Sequence, residues 1–259
     1  MQSKSRSRVR KARPSHHLAG QLSDGLFSAN HALVTLFTLP EYQAARRVSV
    51  YLSMPGGEIA TAGIVKDAFE RGKGVFIPYT YKRSTPTAGQ PLSIMDMLQL
   101  QSLEDYESFK PDKWGIPTAP EASIAQRLNS FGDYGRSEGS VSQGKVDNAG
   151  LDLIVMPGMA FDEGYGRLGH GKGFYDFFLQ RCHEYTKHDK DAKMPFLGKL
   201  NEPFFLFRLD SDMNPRCTVG LALQEQILPP TESVPMDATD WRLDALIAGD
   251  GSLLRRSNV

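Results

Sequence analysis

Residues 156–176, MPGMAFDEGYGRLGHGKGFYD, gather the side chains of this chain best suited to chemistry. Gly164, Gly166, Gly169, Gly171 and Gly173 lie between the apolar run 151–156 and the helix-like run 174–181, with the cations Arg167 and Lys172 among them. Strand, glycine loop and helix N-terminus in that order make a phosphate cradle. Backbone N–H groups point inward, the helix dipole adds positive charge, and glycine lets the backbone come close. The ligand implied is a polyphosphate.

Two familiar motifs overlap this loop, and both depart from their pattern. Gly164-x-Gly166-x-x-Gly169 matches a dinucleotide fingerprint, but residues 157–163 separate it from the strand. The residues where a ribose-binding acid belongs, 185–193, are polar and lysine-rich, so a Rossmann reading is rejected. Gly166-x-x-x-x-Gly171-Lys172 is a P-loop up to its last position, where Gly173 replaces the magnesium-holding Ser or Thr. Carboxylates elsewhere must hold the metal, and Asp176 on the first helical turn is the nearest candidate.

These groups need a frame. Residues 29–39 read as a helix stopped by Pro40, and 47–52 (RVSVYL) as a buried strand. Residues 58–71 are amphipathic, with Ile59, Ile64, Val65, Ala68 and Phe69 on one side and glycines closing the end. Further strands are read at 75–79, 92–97, 151–156, 218–223 and 245–248, with a helix at 174–184. Continuous apolar strands alternating with helices predict an α/β single domain, a mainly parallel sheet with helices on both faces and a glycine-rich phosphate loop. The domain is expected to span 29–250, after a basic segment 1–28, with flexible insertions near 121–150 and 185–201.

Composition narrows the classes. At 259 residues and 40% hydrophobic the chain fits one sizeable domain, and its net charge of +0 offers no global field for nucleic acid or membrane. No apolar run approaches the length of a membrane span. Two cysteines, Cys182 and Cys217, exclude a disulfide framework and fit a reducing compartment. Neither has a sequence-local base, so both read as core thiols. The first 13 residues are basic, and no acid precedes Asp24. That pattern suits either a mitochondrial transit segment or a disordered basic tail; the compartment expected is the cytoplasm.

The chain resembles the 5-formyltetrahydrofolate cyclo-ligase family, also called methenyltetrahydrofolate synthetases. The resemblance is carried by EYQAARRVSVYLSMPGGEI (41–59), RGKGVFIPYTY (71–81), MDM (95–97), WGIP (114–117), DLIVMPGMAFD with RLGHGKGFYD (152–176), LALQEQI (221–227) and VPMDATDWRLDALI (234–247). It implies ATP- and Mg2+-dependent closure of 5-formyltetrahydrofolate to 5,10-methenyltetrahydrofolate with release of ADP and phosphate. The alternative is a catalytically impaired folate- or nucleotide-binding protein. The implied partner is a small folate, with or without a polyglutamate tail, rather than nucleic acid or membrane, and the implied assembly is a monomer.

Carried over by position, the resemblance makes Arg167, Leu168, Gly169, His170, Gly171, Lys172, Gly173, Phe174 and Tyr175 the nucleotide and formyl-site loop. Arg167, His170 and Lys172 are its catalytic candidates. Asp176 and Asp240 match the metal-holding aspartates. Leu52, Met54 and Glu58 match the pterin side, with Tyr79, Trp114 and Phe174 as ring partners. A helix with a basic pair that touches ATP opens the family pattern; gap-free counting puts that pair on Arg6 and Arg10. Pro14 then falls inside the helix, where it costs about 3 kcal/mol.

Overall fold

The computed structural model describes residues 21–85, 89–138, 149–188 and 217–256; side chains are described from residue 30 and, within the helix that ends at 188, to residue 185. Arg6, Arg10 and most of the basic segment lie outside the described residues, as do 139–148 and 189–201 of the two expected insertions.

Five strands form the parallel centre of a seven-stranded sheet: β1 (Arg47–Val50), β2 (Gly74–Lys82), β6 (Leu153–Met156), β9 (Cys217–Ala222) and β10 (Ala245–Ala248). β1, β6, β9 and β10 are short buried runs because both of their faces are covered, and β2 is buried over Val75–Ile77. β3 (Ser93–Gln99) pairs antiparallel with β2, and β11 (Leu253–Arg255) with β10, so the mainly parallel expectation holds with antiparallel edges. The order is β11-β10-β9-β6-β1-β2-β3. From β1 the chain moves outward in one direction, and from β6 in the other. The crevice at the carboxyl ends of these two neighbours is where open α/β sheets bind ligands. Two small hairpins stand outside the sheet, β4–β5 (Lys110–Pro111 with Pro117–Thr118) and β7–β8 (Ala160–Phe161 with Arg167–Leu168).

Strand alternation divides the core in two. Val48, Val50, Val75, Ile77, Leu153 and Val155 face α1 (Gln21–Thr38), α2 (Pro40–Ala44) and α3 (Ala62–Glu70), which contribute Leu36, Tyr42, Ile64 and Val65. Phe76, Ile154, Met156 and Leu246 face the opposite way, against Phe178, Leu179 and Cys182 of a later helix, Phe174–His188. A short helix α4 (Leu103–Glu107) precedes the first hairpin, so Phe174–His188 is α5. Each fully buried aliphatic or aromatic side chain contributes about 1.5–3 kcal/mol, which makes this double layer the main stabilising element.

Three sequence expectations shift. α1 already runs from Gln21 rather than from residue 29. The helix expected from residue 58 starts at Ala62, because Thr61 is tied to the preceding loop and Glu58 folds back onto it. Residues 121–138, expected within a flexible insertion, carry a 3-10 helix, Glu121–Gln126, and bury Arg127, Asn129 and Phe131. Polar ties explain this: Arg127 makes a bidentate pair with Asp105 at 2.6 and 2.7 Å, and the Asn129 amide closes the turn onto Gly135. Ser130 N–H donates to the Met97 carbonyl, so the segment covers the edge of β3.

Candidate functional site

Two loops leave the carboxyl ends of β1 and β6. The first, 51–61, is closed on itself. The Tyr51 hydroxyl donates to the Ile59 carbonyl at 2.9 Å, Thr61 Oγ1 to the Tyr51 carbonyl at 2.6 Å, and Met54 N–H to Glu58 Oε2 at 3.2 Å. Glu58 is thereby held half-buried at the crevice. Burial raises its carboxyl above the ordinary range, opposed by the Met54 N–H and by His170. His170 of the glycine loop, 112 residues further on in sequence, is thus one of the charges that act on the Glu58 carboxyl.

The second loop is more elaborate than the strand–loop–helix expected. Residues 157–168 first form the β7–β8 hairpin. Asp162 organises its turn, accepting from Gly166 N–H at 2.8 Å and from Val234 N–H at 2.7 Å. A Cβ on Gly166 would sit 2.7 Å from Asp162 Oδ2. Gly164 and Gly166, which drew the dinucleotide comparison, thus build a structural turn, and the candidate phosphate loop narrows to Gly169–Gly173. There Gly171 and Gly173 adopt left-handed backbone (φ 77° and 63°), and α5 begins directly after them. Alternating handedness of this kind turns successive N–H groups toward one side, as anion-binding nests do. His170 and Lys172 are exposed beside them.

Arg167 enters from β8. Its side chain is 4% exposed, its Nη2 donates to Asp176 Oδ2 at 3.0 Å, and its guanidinium lies 5.3 Å from the Tyr175 ring centre. Arg167 Nε and the Tyr175 hydroxyl are buried donors with no partner among the described residues. Burial pushes the Tyr175 phenol well above its ordinary range; Arg167 opposes that shift and Glu58 adds to it. A neutral phenol and an unused guanidinium N–H at one spot call for an oxygen-rich ligand, because orphaned buried donors are costly.

Asp176 Oδ1 accepts from Trp241 N–H at 3.1 Å, which brings the neighbouring Asp240 to the loop. Covalent geometry then keeps the two carboxylates within about 10 Å of each other. Asp240 Oδ2 also accepts from Asp237 N–H at 2.9 Å. Among the described residues no group of three or more His, Cys, Asp or Glu forms a metal cage. Magnesium does not need one, since one or two carboxylates with phosphate oxygens and water suffice, and this donor set fits it.

Residues not singled out in the sequence hold the two loops together. Gln226, in the turn after β9, donates to the Gly57 carbonyl at 3.1 Å and to the Gly158 carbonyl at 2.8 Å. Arg242 donates to the Gly164 carbonyl. Gln226 lies within a quoted segment, but nothing in its type or spacing marks a crosslink. The ring candidates divide. Leu52 is 7% exposed and packs in the core, Met54 is half-buried, and Phe174 packs against the α5-side core. Trp114 is 64% exposed, on a loop whose Gly115 abuts Pro55 of the first loop. The Tyr79 hydroxyl donates to Glu121 and accepts from Arg136 at 2.9 Å, and its ring lies under that guanidinium. A cavity of about 480 Å³ lies outside the hairpin, between Glu163, Glu232, Pro235 and Arg242; none of Glu58, His170 or Lys172 lines it.

Both cysteines are buried, and burial raises both thiols, consistent with their reading as core residues. No helix among the described residues is long and apolar enough to cross a membrane.

The model of the 5-formyltetrahydrofolate cyclo-ligase family matches residues 2–200, a span that includes Arg6, Arg10 and the glycine loop and ends before Asp240. The probable 5-formyltetrahydrofolate cyclo-ligase of Schizosaccharomyces pombe is 29% identical over 230 residues, 88% of this chain and 88% of that protein. The 5-formyltetrahydrofolate cyclo-ligase of Mus musculus is 30% identical over 210 residues, 81% of this chain and 76% of that one. In fold, the 5,10-methenyltetrahydrofolate synthetase of Aquifex aeolicus aligns over 93% of this chain and 87% of its own, with TM-score 0.53 and 20% identity.

Proposed function

Because this chain belongs to the 5-formyltetrahydrofolate cyclo-ligase family, we propose that it closes 5-formyltetrahydrofolate to 5,10-methenyltetrahydrofolate with ATP and Mg2+. The observation that carries this reading is the meeting of the two loops, which Gln226 crosslinks through the Gly57 and Gly158 carbonyls.

The chemistry asks for positioning rather than a protein nucleophile. The formyl group is an amide, and its oxygen is a poor leaving group. Once the γ-phosphoryl group of ATP is bonded to that oxygen, ADP departs and the formyl carbon becomes electrophilic. The neighbouring amine attacks it, forming the new C–N bond; the C–O bond breaks, the amine sheds its proton, and the oxygen leaves as part of phosphate.

Each residue has a task in this sequence. Glu58 accepts the paired N–H donors of the pterin edge and fixes the ring at the crevice. N–H groups of the glycine loop hold the phosphates, while Lys172 and Arg167 offset the charge spread over the transferring group. The Tyr175 hydroxyl, a buried donor on the ring beside Arg167, offers its hydrogen bond where the formyl oxygen and the γ-phosphoryl group meet. Asp176 keeps Arg167 aimed and, with Asp240, would hold a magnesium ion that supplies further charge stabilisation to the phosphates. We place the enzyme in the cytoplasm as a monomer.

The test follows the near-ultraviolet absorbance of the methenyl product with 5-formyltetrahydrofolate, ATP and magnesium. Absorbance should rise only when all three are present. Tight folate binding with no product would instead favour the impaired binding protein.

A further inference from the structure

We propose that Arg136 receives a carboxylate of the substrate's glutamate tail, and that Glu121 is the resident group which that tail displaces. This inference rests on the folate reading above and assigns a specificity-determining residue to it.

Arg136 is built in rather than loose. Its guanidinium lies 5.6 Å from the Tyr79 ring centre and 5.1 Å from that of Tyr81, two rings that stack at 5.9 Å with 23° between planes. Its backbone neighbour Ser137 is anchored from below: the Ser137 N–H and hydroxyl donate to the two oxygens of buried Asp96 at 2.7 and 2.8 Å. Asp96 also pairs with buried Arg181 at 2.8 Å and accepts from the Tyr81 hydroxyl at 2.7 Å. Arg181 belongs to α5, the helix that starts at the phosphate loop. The cation is thus referenced to the same frame as the reacting groups.

Its position suits the far end of a folate. Tyr79, under the guanidinium, packs against the same core cluster as Leu52 of the first loop. From Gly115, which abuts Pro55, to Glu121 on Tyr79 the chain runs six residues, at most about 20 Å. A ligand whose pterin is held by Glu58 would extend its tail toward this rim.

The pairing is also exchangeable. Only Nη2 of Arg136 is spent on Tyr79 and Glu121 among the hydrogen bonds of the described residues. The Glu121 side chain is 71% exposed against 33% for Arg136, so the carboxylate is the weakly held partner. A guanidinium stacked on aromatic faces keeps its fork for a planar anion, which is the geometry a substrate carboxylate offers.

The experiment compares 5-formyltetrahydropteroate, which lacks the tail, with the mono- and triglutamyl substrates. Arg136→Gln should raise KM about tenfold for the triglutamyl substrate and less than about twofold for the tail-less one, with kcat unchanged. Glu121→Gln should lower KM for glutamyl substrates only, a gain that misfolding does not produce. Arg136→Lys should fall between, since it keeps charge but not the fork. Equal KM changes for tailed and tail-less substrates, or none for either, would overturn the assignment while leaving the folate reading intact. Failure of the wild-type enzyme to turn over any of the three removes that reading, and this one with it.

Discussion

The loops after β1 and β6 face each other across one crevice but are stabilised in opposite ways. Loop 51–61 is closed mainly by its own bonds, among Tyr51, Ser53, Met54, Glu58 and Thr61, with Gln226 as an outside tie to Gly57. Loop 157–173 is braced from outside: Asp162 reaches Val234, Arg242 reaches Gly164, and Asp176 reaches Trp241. A loop closed by local bonds depends mainly on its own sequence. The glycine loop, clamped by a segment some 70 residues later, depends on the whole chain being folded. Defects far from the site should therefore appear on the phosphate side first.

The largest effect that would test this contrast comes from Asp162→Ala. It strands the buried N–H groups of Gly166 and Val234, each at about 1–3 kcal/mol. Urea unfolding should show a loss of roughly 2–5 kcal/mol, and turnover should collapse. Ser53→Ala in the other loop removes one 3.3 Å bond from Thr61 N–H; its cost should stay near or below about 1 kcal/mol with turnover retained. Comparable losses from the two would break the contrast.

A smaller effect sharpens it chemically. Lys172 is exposed, so Lys172→Met should leave the unfolding midpoint unchanged. In the proposed mechanism its charge offsets that of the transferring phosphoryl group, so kcat/KM for ATP should fall about 100-fold. Folate affinity measured without ATP should shift less than about twofold, because Glu58 and the first loop are untouched. A parallel loss of folate affinity would mean that the loops are not separable.

The same contrast explains what the sequence revealed. The parallel strands were legible because burial on both faces leaves continuous apolar runs such as LIVM in β6. Residues 169–173 could be named as a candidate phosphate loop because glycine spacing and cations are local properties. Residues 121–138 were not, because their order comes from buried polar partners, Arg127 with Asp105 and Asn129 with its own turn, which hydrophobic periodicity cannot register. Asp162 and Gln226 were missed for the same reason: each acts through a carbonyl or N–H dozens of residues away. Trp114 could be named as an aromatic by type, but its 64% exposure is set by tertiary placement, which residue type does not encode.

The smallest effect probes the loop that closes mainly on itself. Burial raises the Glu58 carboxyl above the ordinary value, so the native state holds this proton at a pH where the unfolded chain has lost it. The stability contribution is fully present below the unfolded value and is lost as pH rises through the folded one. Folate binding should run the opposite way. Reading the pterin edge requires the charged carboxylate as acceptor, so affinity is complete above the raised value and lost as pH falls through it. Calorimetric titration of 5-formyltetrahydrofolate without ATP, from about pH 8 to about pH 4.5, should show affinity falling with a midpoint above that of an ordinary glutamate. Glu58→Gln should remove this step and bind about tenfold more weakly at neutral pH, the loss of one charge-assisted hydrogen bond. Its stability at neutral pH should equal or exceed that of the parent, because a buried charge has been removed while the Met54 N–H keeps an acceptor. A step that survives in the Gln variant would assign the titration to another group and leave Glu58 as the staple of its own loop.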